Sequence, residues 1–308
     1  MSSPKALRFL LALLLLSASL SAPAQEPREA AAAQAAAPEA TKAAAAPLRP
    51  VSEAFMLEGG SSHLLDTYLS PLKYTGWNVA FSYERRQAMK FSPALWRQQL
   101  NLRIEASGAH NPAGNATLYY GNISAAWSMA RRWQLPLGIR AEAGGMAQFN
   151  VGGMYNRRNG NNPAALKTDL TLGVIGAVSR GLRIGRLPVT LRWQSALPIV
   201  GALFSPEYDE LYFEMYLGNR HGLVHCAWPG NFFRWDNLVT ADIGLGNTAL
   251  RLGFRSDIYS QKVNHITTRN FSYAFVLGVV TDFISVSPRR SLPSGNNVES
   301  VSYTHLTL

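Results

Sequence analysis

The chain has 308 residues, of which 47% are hydrophobic and 16% charged, with a formal net charge of +10 and a single cysteine. That charge content lies well below the roughly one quarter of a typical soluble domain, and the lone Cys226 excludes an internal disulfide. After the N-terminal region, every apolar stretch is broken by Gly, Pro or a charge before the about 20 residues that a membrane helix needs, which excludes a helical membrane span.

Lys5 and Arg8 precede an apolar run from Phe9 to Leu16, and Ala22-Pro23-Ala24 supplies the small residues of a cleavage site before Gln25. Residues 1–24 are therefore expected to be a secretory signal peptide. No Cys stands at the cleavage point to accept a lipid. Residues 25–50 are rich in Ala, with scattered Glu, Lys and Pro, and end Ala46-Pro47-Leu48-Arg49-Pro50. They read as a disordered tether, because an isolated helix of that length is marginal and the prolines break it.

From there on the dominant period is two. Trp77, Val79, Phe81 and Tyr83 alternate with Asn78, Ala80, Ser82 and Glu84; Leu100, Leu102, Ile104 and Ala106 with Gln99, Asn101, Arg103 and Glu105. The same holds for Tyr119 to Met129, Leu137 to Phe149, Leu170 to Ser179, Val189 to Gln194, Leu211 to Leu217, Val239 to Leu245, Leu250 to Asp257 and Phe271 to Phe283. One face of each segment is apolar, often with an aromatic at its end, and the other mixes small residues with Arg, Glu and Asp. Segments of about 10 residues with this facing suit tilted strands of a membrane barrel better than the 5 or 6 residues of soluble sheets.

The connections Arg131 to Pro136, Ser179 to Pro188 and Gly246-Asn247 are short, whereas Asn150 to Leu166 is long and rich in turn formers. Strict alternation of short and long connections fails between Gly218 and Trp235, and a strand near His221 to Trp228 would restore it. With another strand in Ala54 to Tyr74, the expectation is an all-β fold, a transmembrane antiparallel up-and-down barrel of about 12 strands over residues 51–290, with 10 as the alternative. Phe271 to Phe283 is the expected closing strand. Val301 to Leu308, within the tail 291–308, looks like a translated sequencing-adapter fragment, so the native chain is expected to continue past about Asn297.

On the inward faces Arg103, Glu105, Arg140, Glu142, Asp169, Arg192, Glu214, Asp242, Arg251, Arg255, Asp257 and Asp282 form a candidate lumen network. Because both signs interleave, the preferred reading is ion pairs filling a narrow interior; a selectivity lining is the alternative. The basic surplus falls in turns such as Arg131-Arg132 and Arg157-Arg158, either attracted to phosphate on outer-membrane lipid and lipopolysaccharide or simply snorkelling. Export removes access to nucleic acid. The barrel-assembly machinery is the other expected partner, and the oligomeric state is not readable.

The histidines do not organise a site. His63 stands near Asp66, and His221 and His225 would share a strand face with Cys226 opposite, but no further ligand is spaced to complete a metal site and no Gly-x-Ser-x-Gly occurs. No catalytic, cofactor or metal residues are assigned.

The run Leu65-Asp66-Thr67-Tyr68-Leu69-Ser70-Pro71-Leu72-Lys73-Tyr74-Thr75-Gly76 is interrupted by Pro71 and Gly76 and reads as a turn or a plug that closes the barrel. It resembles the signature of a family of exported Bacteroidetes proteins known as domain of unknown function 3316. The resemblance spans about Glu53 to Arg290 and implies an outer-membrane barrel of unknown activity, with no catalytic residues to carry over. The expected role is a narrow channel or a structural or surface component of the outer membrane. The alternatives are a membrane-embedded enzyme modifying lipid or lipopolysaccharide and a soluble periplasmic β-protein that binds apolar ligands.

Overall fold

The computed structural model describes residues 49–160, 162–208, 212–218, 222–246 and 248–285. The expected signal peptide, the tether up to residue 48 and the tail lie outside them. The strands are β1 (Arg49–Asp66), β2 (Ser70–Ala88), β3 (Trp96–His110), β4 (Thr117–Gln134), β5 (Ile139–Asn156), β6 (Ala164–Ile184), β7 (Leu187–Phe204), β8 (Val224–Ala227), β9 (Phe232–Gly244), β10 (Thr248–Val263) and β11 (Ile266–Ser285). A helical turn, α1 (Tyr212–Tyr216), lies between β7 and β8.

Each long strand pairs antiparallel with its neighbour, and β1 pairs with β11 while β6 pairs with β7, so ten strands close a ring. Closure leaves the ring without an edge, the condition for crossing lipid with strands. The four-residue β8 pairs with β7 at Gly201 to Phe204, on the same side as β9, which pairs with β7 at Val189 to Ala196. It therefore extends the line of β9 across the interruption at Trp228 to Asn231 and adds no passage.

Among the described residues ten strands form the ring, as in the alternative expectation, and the preferred 12 is not formed. Nine of the expected segments become strands and β1 makes the tenth. Leu211 to Leu217 is the exception: Tyr212–Tyr216 is helical and the Leu217 amide bonds back to the Phe213 carbonyl at 3.0 Å. There the chain has left β7, so no neighbouring strand competes for its backbone groups. Aromatic residues on both faces of the segment suit either period.

The reversals at residues 67–69, 111–116, 157–163 and 264–265 and the long β7–β9 connection lie at one end, the loop end. Arg49, Ser285 and the other reversals lie at the termini end. Asn150 to Leu166 is a much shorter connection than its polar composition suggested, because β5 runs to Asn156 and β6 starts at Ala164.

The side-chain facing follows the alternation. One register row on the outer wall reads Leu191, Ala241, Leu252, Leu277, Leu57, Phe81, Ile104, Ile123 and Val151 from β7 round to β5. Toward the loop end the apolar belt is bounded by Ser195, Asn237, Ser256, Tyr273, Ser61, Trp77, Tyr119 and Tyr155, a mixed polar and aromatic girdle. Two of its polar members are satisfied locally: the Trp235 indole donates to Ser195 Oγ at 2.8 Å and the Trp193 indole to Asn237 Oδ1 at 3.4 Å. On β1 and β2 the other margin is Glu53, paired with Arg85 at 3.4 Å. The belt between Glu53 and Ser61 spans roughly 20 Å along the axis for a strand tilted as in membrane barrels, somewhat less than the about 25 Å apolar band of outer-membrane barrels.

Leu252 stands at mid-belt, half exposed on the outer wall. Leu252→Arg is expected to cost about 2–4 kcal/mol and to abolish heat-modifiable gel migration, which the unaltered barrel should show. Equal yields of the heat-modifiable form from both proteins would contradict the facing.

Candidate functional site

The lumen is stratified. At the loop end the β1–β2 hairpin folds its side chains inward: Leu64, Leu69 and Tyr74 pack with Ala109, Leu118, Tyr120, Met154 and Ala165 from β3 to β6. A second apolar cluster, Leu203, Ala227, Phe232, Tyr259 and Val263, fills the opposite side of the same end. Together they form an apolar layer at that mouth.

The hairpin is tied down by the residues of the quoted motif. Asp66 accepts the Tyr68 amide at 3.0 Å and pairs with Lys167 of β6 at 2.6 Å, and Thr67 Oγ1 accepts the Thr267 amide at 2.8 Å. Tyr74 donates to Ser70 Oγ at 3.1 Å and accepts from Asn156 at 3.2 Å, while Asn159 donates to the Leu69 carbonyl at 3.2 Å. Pro71, which has no N–H, falls in the irregularity between the Leu64–Tyr74 and Asp66–Ser70 pairs. Gly76 faces β3 so closely that a Cβ would lie 2.1 Å from the Gly108 carbonyl oxygen. Leu72 is exposed and Leu65 half-buried.

Below the apolar layer, Arg103 pairs with Glu105 at 2.6 Å, Glu58 at 3.0 Å and Asp257 at 3.8 Å. Glu58 also meets Arg255 at 3.3 Å and accepts the Ser82 hydroxyl. Arg234 grips both oxygens of Asp257, at 2.7 and 3.2 Å, and Arg255 reaches Asp236 at 3.4 Å. Asp169 accepts from Asn150 at 2.7 Å.

Nearer the termini end, Glu84 is the hub. Its Oε1 lies 3.1 Å from Arg251, 3.2 Å from Arg86 and 3.3 Å from Arg192. Arg251 is fully buried and holds Asp242 through two bonds of 2.7 and 2.8 Å. Arg192 also donates to Gln194 at 2.7 Å and Gln99 at 3.0 Å. At the mouth itself Glu142 pairs with Arg97 at 2.8 Å, and Arg140 is near enough for its charge to act on both. A cavity of about 10 Å³, room for about one water, remains among Arg97, Gln99, Glu142 and Arg192. Asp282 lies opposite Ser52 at the same end.

Two of these pairs span the full width of the ring. Glu84 on β2 and Arg192 on β7 are five strands apart, as are Asp66 on β1 and Lys167 on β6. Side chains from opposite walls therefore meet at the axis at two levels.

Glu214, expected in the lumen, is on α1 and exposed in the β7–β8 connection, because the segment carrying it is not a strand. Sequence reasoning also left out Glu58, Arg234 and Asp236, which complete the Arg103 and Arg255 clusters. The histidines stay apart: His63 is on the outer wall against Thr75 Oγ1 at 3.2 Å while Asp66 points inward, and His225 contacts the Ser205 carbonyl and Asn264. His221 is outside the described residues. Among the described residues no three of His, Cys, Asp and Glu converge as metal ligands would. In the loop, Tyr212 Oη accepts the Leu166 amide at 2.6 Å, and burial pushes its phenol up to about 12.

A family model described as a protein of unknown function, DUF3316, matches residues 8–290. No curated protein matches the chain. Among solved structures, the chain is similar to the β domain of the Bordetella autotransporter BrkA, at 12% identity over 76% of this chain and 99% of that one, with a TM-score of 0.38. It is also similar to the transport unit of the autotransporter AIDA-I from Escherichia coli, at 9% identity over 75% and 90% of the two chains and a TM-score of 0.36. An outer membrane channel from Pseudomonas putida F1 matches at 9% identity over 77% and 96%, with a TM-score of 0.35.

Removing Glu84 takes the shared carboxylate from three guanidinium groups in the lumen and leaves Arg86 and Arg192 without an ion-pair partner of their own, whereas Glu214 has no place there. Glu84→Ala is expected to lower stability by about 3–5 kcal/mol and Glu214→Ala by less than about 0.5 kcal/mol, read as urea unfolding of the refolded barrel in micelles. Similar unfolding midpoints for the two variants would remove Glu84 from its central position.

Proposed function

The chain belongs to the DUF3316 family of proteins of unknown function, and we propose that it is an outer-membrane β-barrel with a sealed lumen that acts as a structural or surface component. Export through the secretory pathway and a Bacteroidetes source belong to the same reading. The outer-membrane location is supported by the apolar belt, the girdle above it and an inward face carrying charge. Both chain ends of the barrel emerge opposite the long β7–β9 connection, which supports a periplasmic termini end and an external loop end.

The observation that carries the sealed reading is the meeting of opposite walls. Arg192 with Glu84 and Lys167 with Asp66 cross the axis, and the apolar layer at the loop end lies above them. A selectivity lining leaves its charges facing water, so that ions exchange one hydration shell for another. Here the charges are each other's solvation, and an ion entering would have to break buried pairs.

Purified barrel inserted into planar bilayers should give no stable conductance steps. Shortening the crossing pair with Arg192→Ala and Glu84→Ala together should open small steps if the double variant still migrates as a folded barrel. Stable, ion-selective steps from the unaltered protein would replace the sealed reading with the narrow channel.

A further inference from the structure

One sector of the outer wall is recessed just below the girdle. The register row there carries Trp193, Val239, Phe254, Phe275 and Val79 around half of the ring, with Gly59 the one small residue among them. On β3, β4 and β5 the same row holds Ala106, Gly121 and Gly153. Three neighbouring strands thus lack a layer of side chain at one level. The recess encloses about 590 Å³, within the range of sites that hold small ligands, and is framed by Trp77, Tyr119, Tyr155, Leu166 and Tyr212.

Packing of the wall does not require its central glycine. A Cβ on Gly121 would have no neighbour closer than the Glu105 carbonyl oxygen at 3.9 Å. This contrasts with Gly60, Gly76 and Gly144, where a Cβ would come within 2.1 Å of a neighbouring strand's carbonyl oxygen. The missing side chain at Gly121 leaves open space on the side of the belt.

The charge beside the recess selects what fills it. Tyr155 forms its rim, and the β5–β6 turn that begins two residues later carries Arg157 and Arg158, both without deep burial. An acyl chain seated against Gly121 and Gly153 would have its head group at the girdle, within the reach of these guanidinium groups. Two adjacent arginines favour a phosphate monoester, with close to two negative charges and three acceptor oxygens, over the single diester charge of a glycerophospholipid head group.

We infer that this recess binds one acyl chain of a lipid A-type phosphoglycolipid, with a phosphate held at Arg157 and Arg158. The choice of an outer-leaflet lipid rests on the proposed outward orientation of the loop end. Binding in micelles does not depend on that orientation, nor on whether the lumen conducts, so the two readings can fail separately.

The test is native mass spectrometry of the refolded barrel in detergent, titrated with diphosphorylated lipid A and, in parallel, with phosphatidylglycerol. Retention of one lipid A is expected, weakened about tenfold by Gly121→Leu and about tenfold by the Arg157→Ala, Arg158→Ala pair, with phosphatidylglycerol retained less. Heat-modifiable migration verifies folding of each variant; if Gly121→Leu fails to fold, Ala106→Leu on the adjoining strand fills the same recess and decides by the same readout. Undiminished lipid A retention by the filled variant, equal retention of phosphatidylglycerol, or loss of a dimer on filling in place of loss of lipid would each overturn the inference.

Discussion

A sheet that must pair all its backbone groups in lipid has to close on itself, and the size of the closed ring dictates what its interior must contain. Eight strands leave an interior that side chains just fill, and sixteen leave an aqueous channel. Ten strands stand near the lower limit, where long side chains can reach the axis. Arg251 illustrates the demand: from β10 it touches Asp242 on β9, Met56 on β1 and Glu84 on β2. A guanidinium suits this because its rigid fork of donors can satisfy several acceptors on different strands at once. The stratified lumen follows from the ring's width.

The facing of the strands was legible in the sequence because lipid and lumen impose opposite demands on alternate residues, and nine segments carry that contrast cleanly. What escaped was where the contrast blurs. In β1, Phe55 and Leu57 face out, but the inward Met56 is apolar too, since it lies against Arg251; the Gly59-Gly60 pair then erases the period. Glu58 was lost with it. Arg234 and Asp236 are hidden between Phe232, Phe233 and Trp235, where an inward Phe belongs to the apolar cap of the loop end. Conversely, Leu211 to Leu217 alternates without being a strand, because alternation identifies a strand only where a neighbour supplies its ladder.

The quoted motif is a case in which a resemblance located a structure whose mechanics needed coordinates. Its polar residues make the bonds that hold a two-strand turn at the mouth, its Leu69 and Tyr74 supply apolar filling, Pro71 falls where the ladder is irregular, and Gly76 occupies a position where a side chain has no room. Lys167, 101 residues away in sequence, could not be tied to Asp66 by any local pattern. The pair is a property of closure, since it joins strands that meet only across the finished ring.

Buried ion pairs are weak evidence of stability, because well-packed apolar residues of similar volume often do as well. An apolar lumen would, however, make each strand apolar on both faces. Strands here run to 19 residues in β2 and 21 in β6, and an uncharged apolar run of that length is what inserts into a membrane as a helix. On the proposed secretory route, such runs would hold the unfolded chain in the first membrane it meets. Glu84 in β2, Arg103 and Glu105 in β3 and Asp169 in β6 interrupt them at the cost of burying charge; Arg103 and Glu105 offset part of it within β3, whereas Glu84 meets Arg192 of β7 only once the ring has closed. Through the pairs that cross the ring, the ionic core thus couples the stability of the barrel to its completion.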